Sequence, residues 1–386
     1  REVDTYMGAD ETVYHQLDTA MITEFTGYDG APVTDAKVIA LVVNNAVADS
    51  ASAGDEVSVF LDKTPFYAES GGQVGDNGII KTEMGTVEVT DCIKVIGGKI
   101  AHIGTVSEGS ISVGDSAAAE IDRVRRLSTS RNHSATHLLQ KALRTVLGTH
   151  VEQAGSYVTP DRLRFDFTHF AAMTPEEIQQ VEDIVNEKIL ESLPISATQE
   201  SIEDARKLGA MALFGEKYGN IVRVVNMGGY SIELCGGAHL DNTAQVGSFK
   251  IVSESGIASG VRRIEALTGA AALKHYQHQE ESLKAVCKAV KSNPENMVKR
   301  VEAVIAEQKQ LAKELESLKA KMAGGAADSI LANAVEVKGI KLVAAEVKEA
   351  DANALRTMGD QLKNKLGSGV VVLASANGGK VNLLAM

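Results

Sequence analysis

The chain has 386 residues, with 44% hydrophobic and 23% charged side chains and a formal net charge of −12 at pH 7. That length accommodates two or three domains that each bury a core, and that composition excludes wholesale disorder. The absence of a bilayer-length apolar run or a basic-then-apolar leader makes a cytoplasmic protein the expectation, while the acidic balance excludes a grip on nucleic acid by bulk charge.

Residues 1–28 place Tyr14, Leu17, Met21, Ile22 and Phe25 at the spacing of a short amphipathic helix, read as the remnant of a preceding domain. Over 29–125, Val57, Val59 and Leu61, then Val87, Val89, Ile93 and Val95, alternate between Gly- and Asp-containing breaks, predicting a small antiparallel β-barrel. Within it PFYAESGGQVGD, at 65–76, reads as a glycine-rich turn and carries no catalytic assignment.

Residues 126–270 read as a mixed α/β domain with an antiparallel sheet. Thr174-Pro175-Glu176-Glu177 is a capping box that opens a helix through Leu190; Leu163, Phe165 and Phe167 alternate as a strand; Val222–Met227 and Ser231–Leu234 flank a Gly228-Gly229 turn. From 271 to 326 the composition is helical, and Val301, Val304, Gln308, Leu311, Leu315, Leu318 and Met322 form a coiled-coil seam. Pairing with another chain is one outcome; the favoured one is a hairpin with the helix near 273–290, broken at Pro294, with Gly324-Gly325 ending the second helix. Residues 327–386 read as part of a small α/β domain, so the fold class is multidomain α+β.

The chemistry concentrates in two places. Asn132 is an expected N-cap, and His133 and His137 behind it share one helical face, opposite Leu138, Leu139, Ala142, Leu143 and Val146. About a hundred residues later Cys235-Gly236-Gly237-Ala238-His239 follows a predicted strand, with glycines that let the backbone turn tightly. Three imidazoles and a thiolate suit Zn2+ in a tetrahedral site. A closed site that pins helix to loop and an open catalytic site both remain consistent with four potential ligands. Ser134 stands where a His-Glu-x-x-His metalloprotease carries its general base, which weakens a protease reading.

Cys92 and Cys287 read as buried small hydrophobes, and His102, His150 and His169 as surface or turn residues. Arg123, Arg125, Arg126 and Arg131, with Arg262 and Arg263, are basic runs close in sequence to the proposed ligands and candidates for phosphate contact.

PFYAESGGQVGD (65–76), RNHSATHLL (131–139), MALFGEKYG (211–219), ELCGGAH (233–239) and GVRRIEALTG (260–269) occur in an order that resembles the editing and C-terminal parts of alanyl-tRNA synthetases over essentially the whole chain. The resemblance implies that His133, His137, Cys235 and His239 bind zinc in a domain that hydrolyses mischarged tRNA(Ala) carrying serine or glycine. It matches Thr136, Gln153 and Arg262 to catalytic positions beside the editing pocket. It further implies a barrel packed on the editing domain and, through residues 327–386, a partial tRNA-binding and dimerisation domain, with homodimers in full-length members. No aminoacylation is expected of this chain. A free-standing editing protein and a non-catalytic tRNA-binding module with structural zinc are the alternatives.

Overall fold

The computed structural model describes residues 11–211, 219–348, 350–377 and 379–386, and the chain divides into two compact units, Arg1–His278 and Gln279–Met386. Most of the MALFGEKYG motif, residues 212–218, lies outside the described residues.

The first unit begins with a barrel of six antiparallel strands: β1 (Val33–Val43), β2 (Glu56–Leu61), β3 (Gly78–Lys81), β4 (Gly85–Val95), β5 (Lys99–Ser112) and β6 (Ser116–Ile121). Their hydrogen-bonded order is β6-β3-β4-β5-β2-β1, and pairing of β6 with β1 closes the ring and removes its free edges. Val57, Val59, Leu61, Val87 and Val89 fill the interior with Phe66 and Ile111.

The N-terminal segment departs from the expected amphipathic helix. Glu11–Gln16 is a 3-10 helix, and Glu24–Phe25 is a short strand parallel to Lys63–Thr64. Asp18 turns the chain by accepting from the backbone N–H of Ala20, a local bond that competes with helix formation. Val13, Tyr14 and Leu17 then cover Phe60 on the outside of the barrel, while Ile22 is left exposed.

Helix α1 (Arg123–Leu147) leaves the barrel directly. Its N-cap is Asp122, whose side chain accepts from Arg125 N, so Asn132 is not the cap but lies in the middle of the helix. There its amide donates to Thr159 O and accepts from Thr268 Oγ1, tying helix to sheet. That sheet is antiparallel, in the order β7 (Gln153–Val158), β8 (Leu163–Thr168), β13 (Val261–Thr268), β12 (Phe249–Ala258). Between β8 and β12 run α2 (Pro175–Leu190), which starts at the expected capping box, and the strands β9 (Ile195–Ser201), β10 (Ile221–Met227) and β11 (Ser231–Leu234) of a second antiparallel sheet. α3 (Ile202–Lys207) follows β9 directly. Leu138, Leu139, Ala142 and Leu143 of α1 are fully buried against Phe165, Phe167 and Val181, each leucine contributing about 2 kcal/mol of burial.

α4 (Gly269–Val290) runs past the end of the first unit, and Pro294 lies in the break before α5 (Met297–Leu331). Gly324-Gly325 does not end α5, which continues past the pair to Leu331. Two glycines cost roughly 2 kcal/mol in a helix interior, and burial of Ala327 with packing of Ile330 against the core beyond offsets this. Among the described residues no hairpin partner covers the seam: Leu311, Leu315, Leu318 and Met322 are more than half exposed. The rest of the second unit is a four-stranded sheet, β14 (Val335–Val337), β15 (Ile340–Glu346), β16 (Val370–Asn377) and β17 (Lys380–Ala385), with α6 (Ala352–Leu366) crossing between the parallel pair β15 and β16.

His150, exposed in a turn, and His169, in the connection after β8, lie where expected, whereas His102 does not. His102 is fully buried in the barrel between Val59 O at 2.8 Å and Thr64 Oγ1 at 2.6 Å. His150 and His169 partner each other, with Nε2 and Nδ1 2.9 Å apart.

Candidate metal centre

One turn of α1 places His133 and His137 side by side, their rings stacked at 5.5 Å. The chain leaving β11 brings up Cys235 and His239, and the ligand atoms of all four residues lie within 4.8 Å of one another. Cys235 Sγ is 3.5 Å from His133 Nε2 and 3.3 Å from His239 Nε2. Gly237 passes so close to the first ring that a Cβ there would lie 2.0 Å from His133 Cε1.

The imidazoles are oriented from behind. His133 Nδ1 meets Gln73 Oε1 at 2.7 Å, His137 Nδ1 meets Glu233 Oε2 at 2.7 Å, and His239 Nδ1 meets Ser134 Oγ at 3.1 Å. A ring whose Nδ1–H is held by an oxygen presents the Nε2 lone pair on its other side, the arrangement usual for metal-binding histidines. The carbonyls of the cysteine loop are held as well: Arg223 donates to Cys235 O and Gly237 O, and Tyr28 OH donates to Gly236 O while its ring lies under the Arg223 guanidinium.

Burial alone would raise the Cys235 thiol, but His133, His239 and His137 outweigh it and bring its pKa well below the ordinary value. Burial pushes His239 down to about 3. A thiolate beside a neutral imidazole is the protonation state a metal requires. Three nitrogens and one sulfur are a full tetrahedral set for borderline-soft zinc, so the residues fit that ion.

Beside this cluster is a cavity of about 340 Å³, lined by His133, His137 and Cys235 on one side and by Thr136, Gln140, Gln153 and Ser156 among its other polar walls.

Residues 2–125 match the family described as tRNA synthetases class II (A), and residues 222–265 match the threonyl and alanyl tRNA synthetase second additional domain. The alanine–tRNA ligase of Acetivibrio thermocellus is 56% identical over 97% of this chain and 43% of its own length. Alanine–tRNA ligase 1 of Lachnoclostridium phytofermentans is 51% identical over 100% of this chain and 44% of its own, and the Bacillus anthracis enzyme 50% over 95% and 42%. The chain belongs to the alanyl-tRNA synthetase family. It spans less than half the length of the curated relatives it matches.

Of the residues matched through the alanyl-tRNA synthetase resemblance, the four donors converge, and Thr136 and Gln153 line the cavity. Arg262 does not line it; its guanidinium is paired with Glu254 at 2.5 and 2.8 Å. Three other arginines of the basic runs are also engaged: Arg126 is buried against Asp76, Arg131 donates to Gln245 O, and Arg263 pairs with Asp166. Sequence reasoning missed Gln73, Glu233 and Ser134. Read from sequence alone, the turn holding Gln73 has no role at the site, and only its Gly71-Gly72 pair hints at a close approach.

Proposed function

We propose that this chain is an aminoacyl-tRNA deacylase, the editing part of an alanyl-tRNA synthetase, which hydrolyses the ester of Ser-tRNA(Ala) and Gly-tRNA(Ala) with Zn2+ held by His133, His137, Cys235 and His239. The observation that carries this reading is the three-histidine, one-cysteine cluster forming one wall of a cavity with hydroxyl and amide groups on the others. A pocket built for alanine cannot exclude glycine by size, and it rejects the added hydroxyl of serine by only about a hundredfold. A second site that hydrogen-bonds the hydroxyl completes the discrimination, because alanine leaves those groups unpaired.

Thr136 and Gln153 supply suitable partners. Thr136 Oγ1 donates to Asn132 O, 2.8 Å away, so its oxygen is presented as an acceptor for the serine hydroxyl. Gln153 offers both amide ends. Zinc, when bound, supplies Lewis-acid polarisation and a fixed charge. Four protein donors fill a tetrahedral set, which favours an orienting role. Glu233 is the only carboxylate among the described residues lining the cavity, and it is occupied by His137 and by Ser231 Oγ at 2.8 Å. It is therefore a ring holder rather than a general base, and proton transfer falls to a positioned water or the terminal ribose of the tRNA. Arg262, bound to Glu254, acts in this reading by bracing β12 against β13. A cytoplasmic setting and contact with the acceptor end of tRNA belong to the same proposal.

The test is release of serine from Ser-tRNA(Ala) by the purified chain, with Ala-tRNA(Ala) as control and a Cys235→Ala variant alongside. Zinc-dependent release of serine and not alanine is expected, with none from the variant. A folded, zinc-loaded chain that releases nothing would instead support a structural metal, the reading that four donors also favour.

A further inference from the structure

Gln73 is fully buried in the turn that precedes β3, far in sequence from the metal donors. That turn is stitched to the editing sheet: Val158 N donates to Gly72 O at 2.7 Å and Val74 N to Val158 O at 3.1 Å. A Cβ on Gly72 would lie 2.4 Å from Ser156 O, and its φ is +82°, so only glycine allows this approach. The turn thereby delivers one amide side chain to the back of the metal cluster.

Gln73 Oε1 accepts from the backbone N–H of Ala238 at 2.9 Å and faces His133 Nδ1 at 2.7 Å. A backbone N–H has no tautomer and can only donate, so it fixes which end of the amide faces it. The His133 nitrogen that shares the same oxygen must then also donate. The proton of His133 is thus held on Nδ1, and Nε2, the nitrogen nearest Cys235 Sγ, keeps its lone pair. Gln73 Nε2 is buried with no hydrogen-bond partner among the described residues. A half-satisfied buried amide costs roughly 1–3 kcal/mol, so barrel stability alone gives no reason for glutamine at this position.

We propose that Gln73 is a positioning residue of the metal centre: the barrel, through this one side chain, sets the tautomer of His133 and holds the cysteine loop at Ala238, making metal affinity depend on the barrel. This rests on the zinc assignment above, though on no step involving tRNA.

The experiment is zinc affinity of the full chain, measured by competition with a chromophoric chelator. Gln73→Met, similar in length but with only a weakly accepting thioether, is expected to bind zinc roughly 10- to 100-fold more weakly. Gln73→Glu, which keeps an acceptor oxygen, is expected to stay near wild type. Affinity of Gln73→Met within about threefold of wild type overturns the proposal. Should the methionine variant fail to fold, histidine ¹⁵N NMR of the zinc-loaded wild type decides: a proton on His133 Nδ1 is the expected result, and a proton on Nε2 overturns it. A wild-type chain that binds no zinc overturns the metal reading and this one together, whereas zinc binding without deacylation refutes only the proposed activity.

Discussion

Glu233 Oε2 lies 2.7 Å from His137 Nδ1, with both side chains buried. Burial disfavours a charged His137, yet the Glu233 carboxylate and the Cys235 sulfur outweigh it and hold the imidazole pKa well above its ordinary value. Zinc binding has to displace the His137 proton that these neighbours favour. Uptake should release about one proton from His137, and affinity should rise with pH. Calorimetry in two buffers of different ionisation enthalpy measures the release. Glu233→Gln removes the charge that holds the proton, so it should release less and bind zinc about tenfold more weakly; equal release by both proteins would refute the coupling.

The cysteine loop offers a paired test. Gly237→Ala would drive a methyl into His133, 2.0 Å from Cε1, and His133 cannot withdraw because Gln73 backs it. A Cβ at Gly236 meets nothing within 4 Å. Zinc content after dialysis is expected to fall severalfold in Gly237→Ala and to remain at wild-type level in Gly236→Ala. Full zinc retention by the first variant would mean that the loop yields rather than the ring.

Arg126 is the buried link between barrel and helix. Its guanidinium binds both oxygens of Asp76 and donates to Gly27 O at 2.6 Å and Pro65 O at 3.1 Å. Arg126→Met leaves the Asp76 carboxylate buried with only backbone donors such as Tyr67 N at 2.7 Å. The expected loss is about 3–5 kcal/mol in urea denaturation, visible as a lower midpoint. A loss below about 1 kcal/mol would show that the pair merely breaks even with apolar packing.

His102 gives the barrel an acid limit. Burial pushes its pKa down to about 4 from an unperturbed 6.5, against the bond to Val59 O. Because the folded value is the lower one, the unfolded chain takes up the proton first as pH falls. Stability is then complete above about pH 6.5 and declines toward pH 4, by on the order of 3 kcal/mol. Thermal or urea unfolding between pH 7 and pH 4.5 should show a shallower slope in His102→Gln; parallel slopes would assign the acid sensitivity to other groups.

Local patterns disclosed the elements whose causes are local. The capping box at Thr174, the alternation through Leu163, Phe165 and Phe167, and the helical spacing of His133 and His137 all depend on neighbours a few residues away. Outer partners depend on tertiary contact instead: Gln73 and Ser134 reach their histidines across 60 and 105 residues. Asn132 was misread because its cap preference is real but Asp122 had already started the helix. Gly324-Gly325 was misread because the core at Ala327 rewards continuing the helix, and no propensity scale contains that core.

The stitch between Gly72 and Val158 makes the candidate metal centre non-portable. Cutting the chain at 126 to graft the donor-bearing half onto another scaffold would carry all four ligands and leave one of their three supports behind. Such a graft would resemble a lock transferred without its strike plate: every moving part present, and nothing to hold the bolt in line. Lesions in the glycine-rich turn would correspondingly surface as loss of metal, in a part of the molecule that contains none of its ligands.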